Sequence, residues 1–281
     1  YILASETCAL DIIDAEFVRD IEPGEIVVID SDGIQSIKPF AKLSDRFCVF
    51  EYIYFARPDS MMEGKNVYEV RKRIGAELAK EKHVPADLVV PVPDSGVPAA
   101  IGYAEESKIP FDLGIIRNHY TGRTFIEPSA EIRNLGVRLK HNANSAYLAG
   151  KRVILVDDSI VRGTTSKKIV SMVRAAGAAE VHMRVSSPPI SDSCYYGIDT
   201  PTKDELLASK YTIEEMAELI GVDTLAYITP DGLYKAVCGE ARIQDEPQFC
   251  DACFTSAYPI PITDHDDGLN PSQLSLLAEV D

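Results

Sequence analysis

The chain alternates between short apolar runs and stretches whose apolar residues recur at helical spacing. Leu88 to Val92 and Val153 to Val156 read as strands buried on both faces, and Val181 to Val185 as a third strand. Val67, Val70, Ile74 and Leu78 mark one face of a helix running to about Lys82. A second helix starts at Pro98, after the turn Pro93-Asp94-Ser95-Gly96. A third runs from Thr164 to Ala176, with Ile169, Val170 and Val173 on one face and Gly177 as its stop. Phe111 to Ile116 is a further strand candidate. Strands alternating with helices through short turns predict an α/β fold, a parallel sheet flanked by helices.

The flanking regions read differently. Ile26 to Ile29 and Ile34 to Lys38 surround an Asp-Gly turn and predict a β-hairpin. Phe47 to Phe55, FCVFEYIYF, reads as a strongly β-prone run. Thr212 to Glu215 has capping-box spacing ahead of Met216, Leu219 and Ile220, which predicts a short structural helix ending at Gly221. Between Arg117 and Asn142 no period holds. That stretch contains four arginines (117, 123, 133 and 138) and Lys140, and it reads as a functional loop or lid, with an irregular surface insertion as the alternative. Thr263 to Asp281 is polar and acidic, the composition of a partly disordered tail.

Composition narrows the class. With 46% apolar and 26% charged residues, the 281-residue chain has the make-up of an ordinary globular protein. A net charge of −16 argues against non-specific nucleic-acid binding, although local N–H groups and a few arginines can still hold a phosphate. No apolar stretch is long enough for a membrane span, and Glu6, Asp11 and Asp14 interrupt any leader-like core. The six cysteines, without a secretory signal, suit a reducing cytoplasm.

The chemistry concentrates in VILVDDSIVRGTT, Val153 to Thr165. Asp157 and Asp158 stand at the carboxyl end of a strand, where open α/β sheets bind ligands. Ser159, Val161, Arg162, Gly163, Thr164 and Thr165 then form a turn that opens a helix, whose first N–H groups suit a phosphate. Carboxylates accept from sugar hydroxyls but repel phosphate. Two acids followed by such a turn therefore point to a ribose phosphate, the diol on the acids and the 5-phosphate on the turn. As a pattern alone, a strand–turn–helix junction with capping hydroxyls is the alternative.

This segment resembles the phosphoribosyl pyrophosphate signature of type I phosphoribosyltransferases. Its Ser-Ile-Val-Arg form resembles the amidophosphoribosyltransferase (glutamine phosphoribosylpyrophosphate amidotransferase) family. FEYIYFARPDS (50–60), PVPDSGVPAAIGYA (91–104), RNHYTGRTFIEPS (117–129), GVRLK (136–140) and YYGIDTP (195–201) carry the same resemblance. It implies the type I phosphoribosyltransferase fold, with pyrophosphate bound at Asp94, Ser95, Gly96 and Val97. It implies magnesium held with Ser95, Asp157 and Asp158, and a closing loop whose Arg117, Tyr120 and Arg123 act across the site. The implied reaction joins phosphoribosyl pyrophosphate and glutamine-derived ammonia into 5-phosphoribosylamine, releasing pyrophosphate, as the first committed step of purine biosynthesis. YILASETCALDII resembles the end of that family's glutaminase domain, whose N-terminal nucleophilic cysteine is not in this sequence. Ammonia-dependent transfer is thus the expectation for this chain. The implied organisation is a β-rich glutaminase remnant at 1–44, a phosphoribosyltransferase domain at 45–235 and a C-terminal segment at 236–281. A homo-oligomer inhibited by purine nucleotides is implied too. A sensor of phosphoribosyl pyrophosphate and a nucleobase salvage transferase are the alternatives.

Cys250 and Cys253 form a C-x-x-C pair, which alone fits metal binding, redox chemistry or burial. One branch of the family carries a 4Fe–4S cluster, and the resemblance places its ligands at Cys48, Cys194, Cys250 and Cys253. Four thiolates suit iron–sulfur and zinc alike.

Overall fold

In a computed structural model of the chain, residues 1–118, 141–260 and 262 are described. Four parallel strands form the main sheet: β1 (Leu88–Pro91), β2 (Arg152–Asp157), β3 (Glu180–Val185) and β4 (Thr224–Tyr227). They lie side by side in the order β4-β3-β2-β1. Val90 sits opposite Leu155, Val185 opposite Asp157 and Tyr227 opposite Val185, so three carboxyl ends share one edge.

Helices cover both faces. Ile154, Val156 and Val89 point into a core built with α1 (Val67–Glu81), α2 (Val97–Ser107) and part of a helix at Pro230–Cys238. Val153, Leu155, Val181, Met183 and Val185 point into a second core with α3 (Thr164–Ala175) and α4 (Ile213–Ile220). α5 (Pro230–Cys238) completes the first face through Leu233, Tyr234 and Val237. Burial on both sides is why β2 has no polar alternation. The α/β architecture thus agrees with the alternation in the sequence, and the predicted capping box at Thr212 and Glu215 is formed. β4 and α5 have no counterpart among the elements predicted from sequence.

α1 and α2 touch backbone to backbone. A Cβ at Gly75 would fall on the Ala99 carbonyl, and one at Gly102 on that of Lys72. Glycine at these positions is a condition of the helix contact.

Two predicted strands are corrected. In FCVFEYIYF only Phe47–Cys48 is extended, and Glu51–Phe55 is a π-helix. Val49, Phe50, Tyr52, Ile53 and Ala56 are the buried residues, a helical spacing that overrides the β propensity of the aromatics. The buried Arg71 of α1 donates to the carbonyls of Glu51, Tyr52 and Ala56, which stabilises that conformation. The run Phe111 to Ile116 is a strand only at Ile115–Arg117, paired with His141–Ala143, and Phe111 makes a single bridge to Val89. The predicted hairpin is present as Ile26–Asp30 against Gly33–Ile37.

Candidate phosphoribosyl site

The carboxyl edge of the sheet gathers the polar turns predicted to bind ligand. After β1 the chain turns at residues 93–96 into α2, with Gly96 N–H donating to Val92 O and Val92 N–H donating to Val156 O. The second bond ties this turn to the end of β2. The Pro93–Asp94 peptide is cis. Asp94 forms an ion pair with Arg117, which stands at the end of strand Ile115–Arg117. Sequence alone did not join those two residues. Tyr120 and Arg123, with most of the proposed closing loop, lie outside the described residues.

Asp157 ends β2, Asp158 follows it, and they are 7% and 6% exposed. Asp158 N–H donates to Asp157 Oδ1 at 3.0 Å, and Ser159 Oγ donates to Asp158 Oδ2 at 2.6 Å. Burial pushes the Asp157 carboxyl well above the usual carboxylate range, and the Asp158 charge pushes it further. Two adjacent buried acids resist double ionisation, so the pair favours holding a proton. Bound sugar hydroxyls or a cation would offset that repulsion and restore the charge.

The turn from Ser159 to Gly163 leads into α3. Gly163 occupies the N-cap with φ +73° and no side chain caps the helix, and its first turn contains no acid. The exposed N–H groups and the positive end of the helix thus face the same edge as the acids. Thr164 and Thr165 are exposed at the start of α3, and Val161 lies half-buried below. Val161 O accepts from Leu207 N–H at 2.9 Å, which braces the turn from behind. Arg162 points away into an exposed pair with Glu205 at 2.7 Å, a partner that the sequence pattern did not reveal.

The cysteines converge elsewhere. Strand Phe249–Cys250 runs parallel to Phe47–Cys48 with Cys250 opposite Cys48. Burial pushes the Cys48 thiol up to about 11, and it raises those of Cys250 and Cys253. At Cys253 the neighbouring Cys48, Cys250 and Cys194 add to that rise, which puts all four thiols in one locality. All four are free. Among the described residues, no group of three or more His, Cys, Asp or Glu is arranged to hold a metal ion. Four thiols suit a thiolate-ligated metal or cluster in their chemistry, but as placed they form no coordination shell. Asp251, between the last two cysteines, is 1% exposed. It accepts from Arg242 at 2.5 Å, Tyr234 at 2.9 Å and Thr255 at 2.9 Å.

No helix among the described residues is long and apolar enough to cross a membrane. Residues 63–191 match the phosphoribosyl transferase domain family. The amidophosphoribosyltransferase of Rhizobium etli is 58% identical over 99% of this chain and 57% of its own length. That of Bacillus subtilis is 50% identical over 93% of this chain and 55% of its own length. The chain therefore spans just over half the length of the curated relatives it matches. The solved Bacillus subtilis glutamine phosphoribosylpyrophosphate amidotransferase, complexed with ADP and GMP, superposes with a TM-score of 0.84 at 49% identity. That match covers 93% of this chain and 57% of the solved one.

Proposed function

With residues 63–191 forming a phosphoribosyl transferase domain, in a chain similar along nearly its whole length to amidophosphoribosyltransferases, we propose that it binds phosphoribosyl pyrophosphate at the sheet's carboxyl edge and passes the phosphoribosyl group to ammonia. The observation that carries this reading is the buried Asp157–Asp158 pair leading into the uncapped start of α3. Asp157 and Asp158 hold the ribose diol. Ser159 to Thr165 hold the 5-phosphate through backbone N–H groups and hydroxyls. Asp94, Ser95, Gly96 and Val97 hold the pyrophosphate, with Arg117 delivered beside them by its pair with Asp94.

Pyrophosphate leaves C1 as ammonia attacks, and positive charge develops on the ribose ring as in glycoside cleavage. The neighbouring carboxylates stabilise that charge, and the two turns fix the sugar against movement. Magnesium, held with Ser95, Asp157 and Asp158, would neutralise charge on the pyrophosphate. In the whole protein the ammonia is drawn from glutamine, and purine nucleotides regulate the enzyme. The ADP and GMP of the Bacillus subtilis complex support that regulation. Cys48, Cys194, Cys250 and Cys253 hold a 4Fe–4S cluster with a structural role, tying residues 249–253 to residues 47–48.

Calorimetry with magnesium and phosphoribosyl pyrophosphate should show binding that the double variant Asp157→Asn, Asp158→Asn abolishes. Equal affinity in the variant would overturn the assignment. Pyrophosphate should be released with ammonia and not with nucleobases. Release with a nucleobase alone would favour a salvage enzyme, and binding without release for any acceptor would favour a sensor.

A further inference from the structure

A turn that binds phosphate through its N–H groups has to keep those groups free of other acceptors. Among the described residues, Ser159, Ile160, Val161 and Arg162 make no backbone hydrogen bond with one another. A loop without bonds of its own is costly to order, and a ligand that must order it binds more weakly. The turn therefore needs support from outside. Residues 203–209 stand where that support is required. They form two 3-10 turns, Lys203–Glu205 and Leu207–Ser209, separated by the fully buried Leu206. Ser209 Oγ donates to Lys203 O at 2.6 Å and to Leu206 O at 2.8 Å, which closes the segment on itself.

The segment and the turn share both cores. Val161 and Leu206 pack into the core with α1 and α2, and Ile160 and Leu207 into the core with α3 and α4. Leu207 also touches the turn twice. Its N–H donates to Val161 O at 2.9 Å. Its side chain lies against Gly163, where an added Cβ would stand 2.7 Å from Leu207 Cδ2. Gly163 is the N-cap of α3, with φ +73°. Leu207 thus presses on the residue at which the turn becomes helix and the free N–H groups of α3 begin.

We infer that Leu207 is a positioning residue of the 5-phosphate site, its N–H and side chain holding residues 161–163 in the ligand-binding conformation before ligand arrives. The inference rests on the function proposed above. Both contacts engage the turn through a carbonyl and a glycine, so neither takes an N–H away from the phosphate. The pyrophosphate turn at 93–96 is tied separately, through Val92 N–H donating to Val156 O. Loss of the Leu207 side chain should therefore weaken the hold on one end of the substrate and spare the other.

The test compares the parent chain with Leu207→Ala, Leu207→Val and Leu207→Met. Calorimetry uses ribose 5-phosphate and, separately, pyrophosphate with magnesium. Pyrophosphate release from phosphoribosyl pyrophosphate with ammonia supplies KM and kcat. In the alanine variant, the dissociation constant for ribose 5-phosphate and the KM should rise about tenfold, with kcat changed less than about threefold. Its affinity for pyrophosphate should match the parent's. Valine lacks the Cδ atoms that reach Gly163 and should fall between, whereas methionine keeps that reach and should restore the parent's affinity. Unchanged affinity for ribose 5-phosphate in the alanine variant would overturn the inference. An equal loss for pyrophosphate would overturn it too, because that is the mark of a general structural role. If the alanine variant does not fold, the valine variant decides by the same two affinities. Binding of neither ligand by the parent chain would instead remove the proposed function, and the role with it.

Discussion

Asp157 and Asp251 are both buried aspartates, and their surroundings are opposite. Asp251 is met by a guanidinium, a phenol and a threonine hydroxyl. Asp157 has one backbone N–H and a second acid for company. A carboxylate fully paired within the fold is a structural tie, because its partners leave nothing for a ligand to satisfy. A buried acid placed against another acid opposes folding when both are charged, and a proton or a cation relieves it. The contrast separates the corner that holds residues 249–253 from the sheet edge where the acid pair stands.

Breaking the satisfied side should have the largest effect on stability. Asp251→Ala strands Arg242 and Tyr234, and should cost about 3–5 kcal/mol, the range for removing one partner of a buried pair. The check is the urea midpoint, with affinity for phosphoribosyl pyrophosphate retained in the folded fraction.

Asp157→Asn should act in the reverse sense. It keeps an oxygen for the Asp158 N–H and removes a buried charge, so stability at pH 8 should rise by about 1–3 kcal/mol while phosphoribosyl pyrophosphate affinity falls. A loss of stability would remove the contrast.

The same residue predicts a pH dependence. The folded carboxyl of Asp157 lies above its unfolded value, so the folded state binds the proton more tightly. Its contribution is fully present below the unfolded pKa of about 3.9 and is lost as pH rises through the folded value. In metal-free buffer, the parent should therefore lose stability relative to Asp157→Asn as pH is raised from 4 towards neutrality. Parallel curves would contradict the shift.

Arg162→Ala should have the smallest effect. The pair with Glu205 is about half exposed on both sides, and such pairs contribute about 0.2–1 kcal/mol. A larger loss of substrate affinity than of stability would show that Arg162 leaves Glu205 when ligand binds.

Much of this was legible along the chain. β2 and α3 carry apolar spacing that allows one reading each, and the acid pair sits at their junction, so the phosphate and ribose reading needed only local order. The π-helix at Glu51–Phe55 was not legible as such, because aromatic and β-branched residues satisfy a strand pattern equally well. Its buried set at 49, 50, 52, 53 and 56 was a signal of helical spacing, but the decision came from Arg71, about one helical turn into α1. The lone C-x-x-C pair could not reveal that Asp251 between its cysteines is an anchor.

The sequence by itself determined the α/β alternation, the hairpin at 26–37 and the strand–acid–turn–helix unit, because each depends on residues only a few positions apart. The tertiary structure decided which distant groups share an edge or a corner. Cys48 meets Cys250 and Arg117 meets Asp94 because the sheet and its flanking segments bring together residues far apart in the chain. The difference between Asp157 and Asp251 arises there too. Both are the same residue type, and only the charges and donors packed around them make one a tie and leave the other poised.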